Sequence, residues 1–561
     1  MKRKNHWNEY CLGAVALAAF LFLLAENTDF GDAHPRLFAS VNIGVWSLFA
    51  ADVLLRIFFS DDRKTFVHRH WLEFIVFIPL IQYLPGAGHP SVSTVVRQVV
   101  IVVMLVSRIR RSHGLLQLLN LKPARLMLAG FLGAIGAGSV LLTLPAATTA
   151  GERLPLIDAV FTATSAVCVT GLIVRDTATY FSPFGQMIIA SLIQIGGLGI
   201  MTFSVSLTVF LGKRVDISQR AVLQSALDHD TLAGLRGLIR FVVLMTFVLE
   251  AIGAVLLFLA WRTSFDSPFS AIYHSVFHSV SAFCNAGFST FSDSLVGFRD
   301  NTGVNVVICG LIIFGGLGFV VMKRLFDGVR RRHPAAGDSR SRLQSRIVLR
   351  MTVFLILTGM AIIFLTERSG LLRNLAPGSV VLSSFFQSVT ARTAGFNTLD
   401  IGALSSATLL ALIILMFIGA SPGSTAGGIK TTTVACLWAA ITASLRNRAH
   451  TEIHRRTIPT ATVYKALTLL CLSLCVVGLF TLVLLAMEKQ PFLDVLFEVV
   501  SAFGTVGLST GLTPELSGGG RILITVLMFI GRLGPLTIAY AMLPSHAKVT
   551  YKYAEEQIMI G

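Results

Sequence analysis

Charge is scarce in this chain. Asp, Glu, Lys and Arg make up 13% of its 561 residues, against roughly 25% in a soluble domain. Hydrophobic residues reach 54%, and the mean hydropathy is +0.74. That polar content cannot cover a folded body in water, which excludes a soluble enzyme. Period-two alternation is missing as well, so the chain does not read as a transmembrane barrel, whose strands would be about ten alternating residues. Helices are what remains, because in lipid every backbone N–H and C=O must find a partner inside its own segment. An all-α polytopic membrane protein is expected. Cysteine is sparse too. The seven, Cys11, Cys168, Cys284, Cys309, Cys436, Cys471 and Cys475, have no spacing that suits a zinc site or a disulfide framework. Acidic residues are outnumbered, giving a net charge of +17. The bases fall mainly in loops between apolar runs, as membrane topology requires, so no nucleic-acid partner is inferred. The first apolar run leads into Glu26, Asp29 and Asp32 with no small-residue cleavage site, and no cleavable signal is expected.

Apolar spans are read near 9–25, 40–59, 71–85, 94–107, 126–146, 184–211, 237–261, 303–324, 346–366, 403–442 (interrupted), 463–487 and 520–543. Four shorter stretches, near 155–168, 268–284, 379–391 and 491–504, are too short to cross and are read as re-entrant segments. Basic clusters lie at Met1 to Lys4, between Lys213 and Arg240, between Lys323 and Arg350, and from Arg446 to Arg456. All four share one side if the span count holds, which places both termini in the cytoplasm.

An internal repeat organises the rest. After each re-entrant stretch comes a short motif ending in glycine: Ser165 to Gly171, Ser281 to Gly287, Val389 to Gly395 and Ser501 to Gly507. Those glycines are 116, 108 and 112 residues apart. Four helix–pore loop–helix units in one chain imply a pseudo-fourfold ring around a central pore. The units are placed at 120–236, 237–342, 343–460 and 461–561, after a separate N-terminal region at 1–115. A re-entrant helix entering from outside turns its negative carbonyl end toward the axis. Asp158 and Asp494 are placed to cap two of these helices. The extended backbone beyond can offer carbonyls in place of an ion's water shell, with glycine permitting the dihedrals that aim them one way.

The four loops, together with Gly423-Ser424-Thr425-Ala426-Gly427-Gly428-Ile429-Lys430-Thr431, resemble the Trk/Ktr/HKT superfamily of potassium transporters over roughly 120–561. The ending Tyr553 to Gly561 is similar to that of the bacterial Ktr-type membrane subunit. The resemblance implies a K⁺ filter from Val169, Thr170 and Gly171, from Asn285, Ala286 and Gly287, from Thr393, Ala394 and Gly395, and from Thr505, Val506 and Gly507. Glycine in all four repeats goes with K⁺ preference in that family, where serine in the first goes with Na⁺. A Na⁺ or Na⁺/K⁺ transporter of the same fold is the rival reading. The resemblance also implies a homodimer, a cytosolic nucleotide-binding regulatory ring, no cofactor in this chain itself, and Na⁺ as an activator.

A gate is expected where the tenth span breaks, at Gly419, Ala420, Ser421, Pro422, Gly423, Ser424, Thr425, Ala426, Gly427 and Gly428, because proline and four glycines do not continue a helix. Lys430 and Arg532 lie at similar depth. Such charges are costly in lipid and would oppose a cation if they faced the pore. The segment 423–431 nearly matches a phosphate-binding loop, but it lacks the strand–helix context. His274 and His278, four apart, are read as packing residues, as are Cys168 and Cys284. Arg392 is expected behind the filter with Glu498 as its partner. Residues 1–115 loosely resemble a voltage-sensor module, through Asp52 to Arg56, Trp71 to Pro79 and Arg108 to Arg111. Only Arg97 lies within the fourth span, so a structural, degenerate sensor is expected.

Overall fold

The computed structural model describes residues 123–199, 232–329 and 339–542, with isolated positions 40, 44, 47 and 556. The N-terminal region read as sensor-like lies outside the described residues, as do most of the basic loop after the first repeat and the C-terminal tail. Within them the chain is helical, apart from one hairpin of two short strands.

The helices fall into four units. The first holds α1 (Pro123–Leu142), α2 (Leu156–Val167) and α3 (Pro183–Leu198). The second holds α4 (Leu232–Trp261), α5 (Pro268–Cys284), α6 (Thr302–Leu317) and α7 (Phe319–Val329). The third holds α8 (Ser339–Glu367), α9 (Pro377–Thr390), α10 (Ser406–Phe417) and α11 (Thr431–Leu445). The fourth holds α12 (Thr460–Met487), α13 (Phe492–Gly504), α14 (Gly518–Leu533) and α15 (Pro535–Met542). Strands β1 (Glu452–Ile453) and β2 (Arg456–Thr457) form the hairpin between α11 and α12. Helices α4, α8 and α12 contain segments long and apolar enough to cross a bilayer. Their outward faces carry exposed Leu244, Val255, Phe354, Leu365 and Leu482. The buried polar side chains instead gather on the short helices, at Ser165, Ser279, Ser281, Ser388 and Ser501. Apolar outside and polar inside is the arrangement that lipid selects.

The four short helices all start at a proline, either as the cap (Pro155, Pro491) or as the first helical residue (Pro268, Pro377). Proline has no N–H to leave unpaired there, and its φ is preset for a helix. The expectation that Asp158 and Asp494 cap their helices is therefore corrected: the prolines are the caps, and both aspartates lie within the first turn. Asp158 is buried and accepts from Arg175 at 3.0 Å and from Arg521 at 2.6 Å. Arg521 belongs to α14, so this pair fastens the first repeat to the last and helps close the ring.

The second long helix of each unit ends at a glycine or at a loop, which the sequence reading foresaw only for the third. Helix α3 ends at Gly199 (φ 75°), α6 at Gly318 (φ 87°) and α14 at Gly534 (φ 83°). Only glycine enters that left-handed region without strain, and at Gly318 the axis turns by 103°. The sequence carried this signal in Gly196-Gly197-Leu198-Gly199, Gly315-Gly316-Leu317-Gly318 and Gly531-Arg532-Leu533-Gly534. In the third unit the single glycine is replaced by the whole segment 418–430 between α10 and α11.

Candidate functional site: a backbone ring and the loop beneath it

Each short helix ends in the same way. The third residue of the motif's last five is left-handed without being glycine: Val169 (φ 56°), Asn285 (φ 60°), Thr393 (φ 73°) and Thr505 (φ 50°). Two residues on, Gly171 (φ 88°), Gly287 (φ 71°), Gly395 (φ 83°) and Gly507 (φ 90°) are left-handed again. Three of the ends are closed by an N–H reaching back five residues, from Thr170 to Ser165, Ala286 to Ser281 and Val506 to Ser501, each at 2.8 Å. That is a Schellman-type termination. A β-branched residue there costs about 1–3 kcal/mol unless its surroundings hold it. Buried hydroxyls supply that hold. Ser165 accepts from Gly171 N–H at 3.0 Å and donates to Leu172 C=O at 2.7 Å. Ser281 donates to Phe288 C=O, Thr390 to Phe396 C=O, and Ser501 accepts from Gly507 N–H.

The four glycines meet around one axis. A side-chain carbon added at Gly171 would strike Ala286 C=O, one at Gly287 would strike Ala394 C=O, one at Gly395 would strike Val506 C=O, and one at Gly507 would strike Thr170 C=O. The sequence of contacts returns to its start, so it is a closed ring. Above it opens a vestibule of about 520 Å³, with the four glycines on its floor and Asp176, Asp293 and Asp400 in its wall. Asp176 accepts from Ser292 of the next repeat at 2.6 Å. Eight of the twelve residues expected at the filter meet in this ring, and the other four, Val169, Asn285, Thr393 and Thr505, stand one residue before them in the chain.

Below the ring lies the segment 418–430. Its neck is a parallel bridge between Ile418 and Ile429. From there it reaches the second repeat, where Ser421 N–H donates to Gly316 C=O at 3.1 Å, and Thr425 Oγ1 lies 3.2 Å from the Asn285 side chain. It also touches the fourth repeat, where Gly427 packs on Gly504 and Thr505. Arg532 completes the arrangement. Its guanidinium donates to Thr425 C=O in the third repeat and to Gly196 C=O in the first. The fourth repeat lies between those two in the ring, so the guanidinium joins three repeats below it. Arg532 thus does tie repeats together through backbone carbonyls.

Lys430 stands at the end of this segment, partly accessible. It folds back on its own loop, donating to Ala426 C=O at 2.6 Å and Gly427 C=O at 3.2 Å, because a buried ammonium needs acceptors and the loop provides them. Arg392 does not pair with Glu498. Glu498 accepts from Ser509 and from Thr513, the latter through its N–H at 3.1 Å and its hydroxyl at 3.0 Å. The strand leaving the fourth filter folds back over it. Arg392 is buried, with no partner at Nε. His274 and His278 behave as read: His274 bonds Thr290 at 2.6 Å, and His278 bonds Ser289 at 3.0 Å while stacking on Phe291. Cys168 and Cys284 are both buried.

These features define a polytopic helical membrane protein with four pore loops around one axis. A family described as TrkH, a cation transport protein, matches residues 134–551, and the chain belongs to that family. It is 41% identical over 441 residues to Ktr system potassium uptake protein B of Bacillus subtilis, which covers 78% of this chain and 97% of that protein. It is 40% identical over 451 residues to potassium/sodium uptake protein NtpJ of Enterococcus hirae, at 79% and 98% coverage. Among solved structures, the fold matches the potassium transporter TrkH of Vibrio parahaemolyticus with a TM-score of 0.60 and 17% identity, covering 91% of this chain and 98% of that one.

Proposed function

We propose that this chain is the pore-forming subunit of a K⁺ uptake system in a bacterial plasma membrane. The closed ring of Gly171, Gly287, Gly395 and Gly507 carries that reading. With both left-handed residues of each motif in place, the carbonyls of Thr170, Ala286, Ala394 and Val506 converge on the axis, where they can replace the hydration shell of an alkali cation. The carbonyl ends of the four short helices add negative potential at the same point. The aspartates of the vestibule raise the local cation concentration outside. Uptake is then passive, driven by the membrane potential.

The segment 418–430 serves as the gate. In the arrangement described here Arg532 spans the conduit and adds a positive charge to the barrier. Opening requires its bonds to Thr425 and Gly196 to break and the loop to withdraw. Further parts of the proposal rest on the likeness to Ktr-type proteins and on loop charge. They are a homodimer, a cytosolic ring that binds the regulatory nucleotide, Na⁺ as an activator, no cofactor in this chain, and cytoplasmic termini. The name of the Enterococcus relative keeps a Na⁺/K⁺ transporter as the second reading.

The test is Rb⁺ uptake into proteoliposomes under an imposed potential, with K⁺ and Na⁺ as competitors, for the wild type and Gly171→Ser. K⁺ should compete far better than Na⁺ in the wild type and lose that advantage in the variant. Equal competition in the wild type would favour the second reading.

A further inference from the structure

The outer side of the loop's neck faces a groove that neither the filter nor the gate uses. Ile418 and Ile429, the bridged pair, form its floor. Ile414 of α10, Trp438 of α11, Leu474 of α12 and Val500 of α13 are among its apolar walls. It holds about 420 Å³ and opens sideways, since Ile414 and Trp438 are 55% and 69% exposed. On a membrane-embedded face such a groove takes up an acyl chain or another protein.

Two further observations select the occupant. The apolar track continues from the groove toward the arginine-rich end of the molecule. On α11 it runs through Ile441 to Leu445, which is 81% exposed, and on α12 through Leu467 to Tyr464. These steps of three, four and seven residues keep to one face of each helix. At the end of the track stand Arg446, at the α11 C-terminus, and Lys465, in the first turns of α12, both exposed. Arg448, Arg455 and Arg456 follow in and beside the hairpin. Glu452 is the one acid between 446 and 465, and it pairs with Arg448 at 3.7 Å. From Trp438 to Arg446 the helix rises about 12 Å, within the roughly 15 Å half-thickness of the hydrocarbon core. Tyr464 adjoins Lys465, the combination of aromatic ring and base that membrane interfaces favour.

We propose that this groove is a binding site for an anionic phospholipid. One acyl chain lies against Ile418 and Ile429, and the phosphate lies on Arg446 and its basic neighbours. The chain braces the bridge from outside, so occupancy favours the loop position beneath the filter and slows its withdrawal. The effect on gating rests on the gate reading above; the binding does not.

Binding is read by quenching of Trp438 in proteoliposomes of the full chain, as the difference between wild type and Trp438→Phe. Brominated-chain phosphatidylglycerol is compared with brominated-chain phosphatidylcholine at equal mole fractions. Half-maximal quenching should need roughly thirty-fold less of the anionic lipid, the preference that two basic side chains at the headgroup give. Arg446→Gln with Arg448→Gln should remove that preference while leaving quenching by the neutral lipid. Equal quenching by the two lipids overturns the proposal, as does absence of quenching, the result if a second copy of this chain covers the groove. Rb⁺ flux in the same vesicles reads the gate separately: it should fall as the anionic fraction rises in wild type and not in the double variant. If quenching shows the preference while flux ignores it in both proteins, the coupling is overturned and the site stands. A failed gate reading would show itself independently, as unchanged flux in Arg532→Ala.

Discussion

On the proposed gate reading, replacing Arg532 by alanine removes both a positive charge and a tie between repeats below the ring. In the structure its guanidinium donates to Thr425 C=O and Gly196 C=O, and the side chain is only partly accessible. A hydrogen bond with one charged partner contributes about 1.5–3 kcal/mol. Both must break when the loop withdraws, and water or other carbonyls recover part of the loss, so a net closed-state preference of about 3 kcal/mol is reasonable. At 1.4 kcal/mol per factor of ten, that shifts the closed-to-open ratio by roughly 100-fold. The same substitution deletes a positive charge from the ion's path, which acts in the same direction. Rb⁺ uptake by purified Arg532→Ala in proteoliposomes, without any cytosolic partner, should therefore rise by one to two orders of magnitude if the wild type is mostly closed. Arg532→Lys, which keeps the charge but not the two-pronged reach, should fall between. Shortening 421–428 should raise uptake in a similar way. Uptake that is unchanged or lower, at normal protein levels and with K⁺ preference intact, would refute the reasoning: Arg532 would then be a brace between repeats and nothing more.

Two further outcomes test the scaffold. Asp158→Asn leaves Arg175 and Arg521 facing an uncharged amide at the seam between the first and last repeats; breaking a buried pair costs about 3–5 kcal/mol, reduced here because Arg175 is 42% exposed. A fall of several degrees in the melting temperature in detergent is expected, and an unaltered melting curve would remove the ring-closing role. Glu367, at the end of α8, accepts from Ser405 through its N–H at 2.9 Å and its hydroxyl at 2.7 Å, and from Thr408 at 2.5 Å. Glu367→Ala should destabilise the protein by about 1–3 kcal/mol without changing K⁺ preference; a selectivity change with no loss of stability would contradict that division.

Much of the architecture was legible in the sequence because lipid leaves few choices. A segment either is long and apolar enough to cross or it is not, and four short runs each followed by a glycine motif read as four pore loops whatever their contacts. The break in the third unit was legible for a similar reason, since Pro422 and the surrounding glycines forbid a continuous helix. The helix ends at Gly199, Gly318 and Gly534 were equally written in the chain, as three copies of a Gly-x-Leu-Gly pattern, but a lone glycine does not by itself stop a helix. At Gly318, where the axis turns, only the folded chain shows Pro422 C=O lying where a side chain would go.

Partnership of charges was where local reading failed. Asp158 was read as a helix cap, Lys430 as a charge in a costly place, and Arg392 as the partner of Glu498. The true partners come from other repeats or from returning loops: Arg521 for Asp158, Thr513 for Glu498, loop carbonyls for Lys430. Pattern and hydrophobicity are properties of a segment, so the chain alone determined the class and the fourfold repeat. A closed ring, and a guanidinium joining two opposite repeats, are relations between segments hundreds of residues apart, and only the folded chain decides which of many equally suitable acceptors lies within reach.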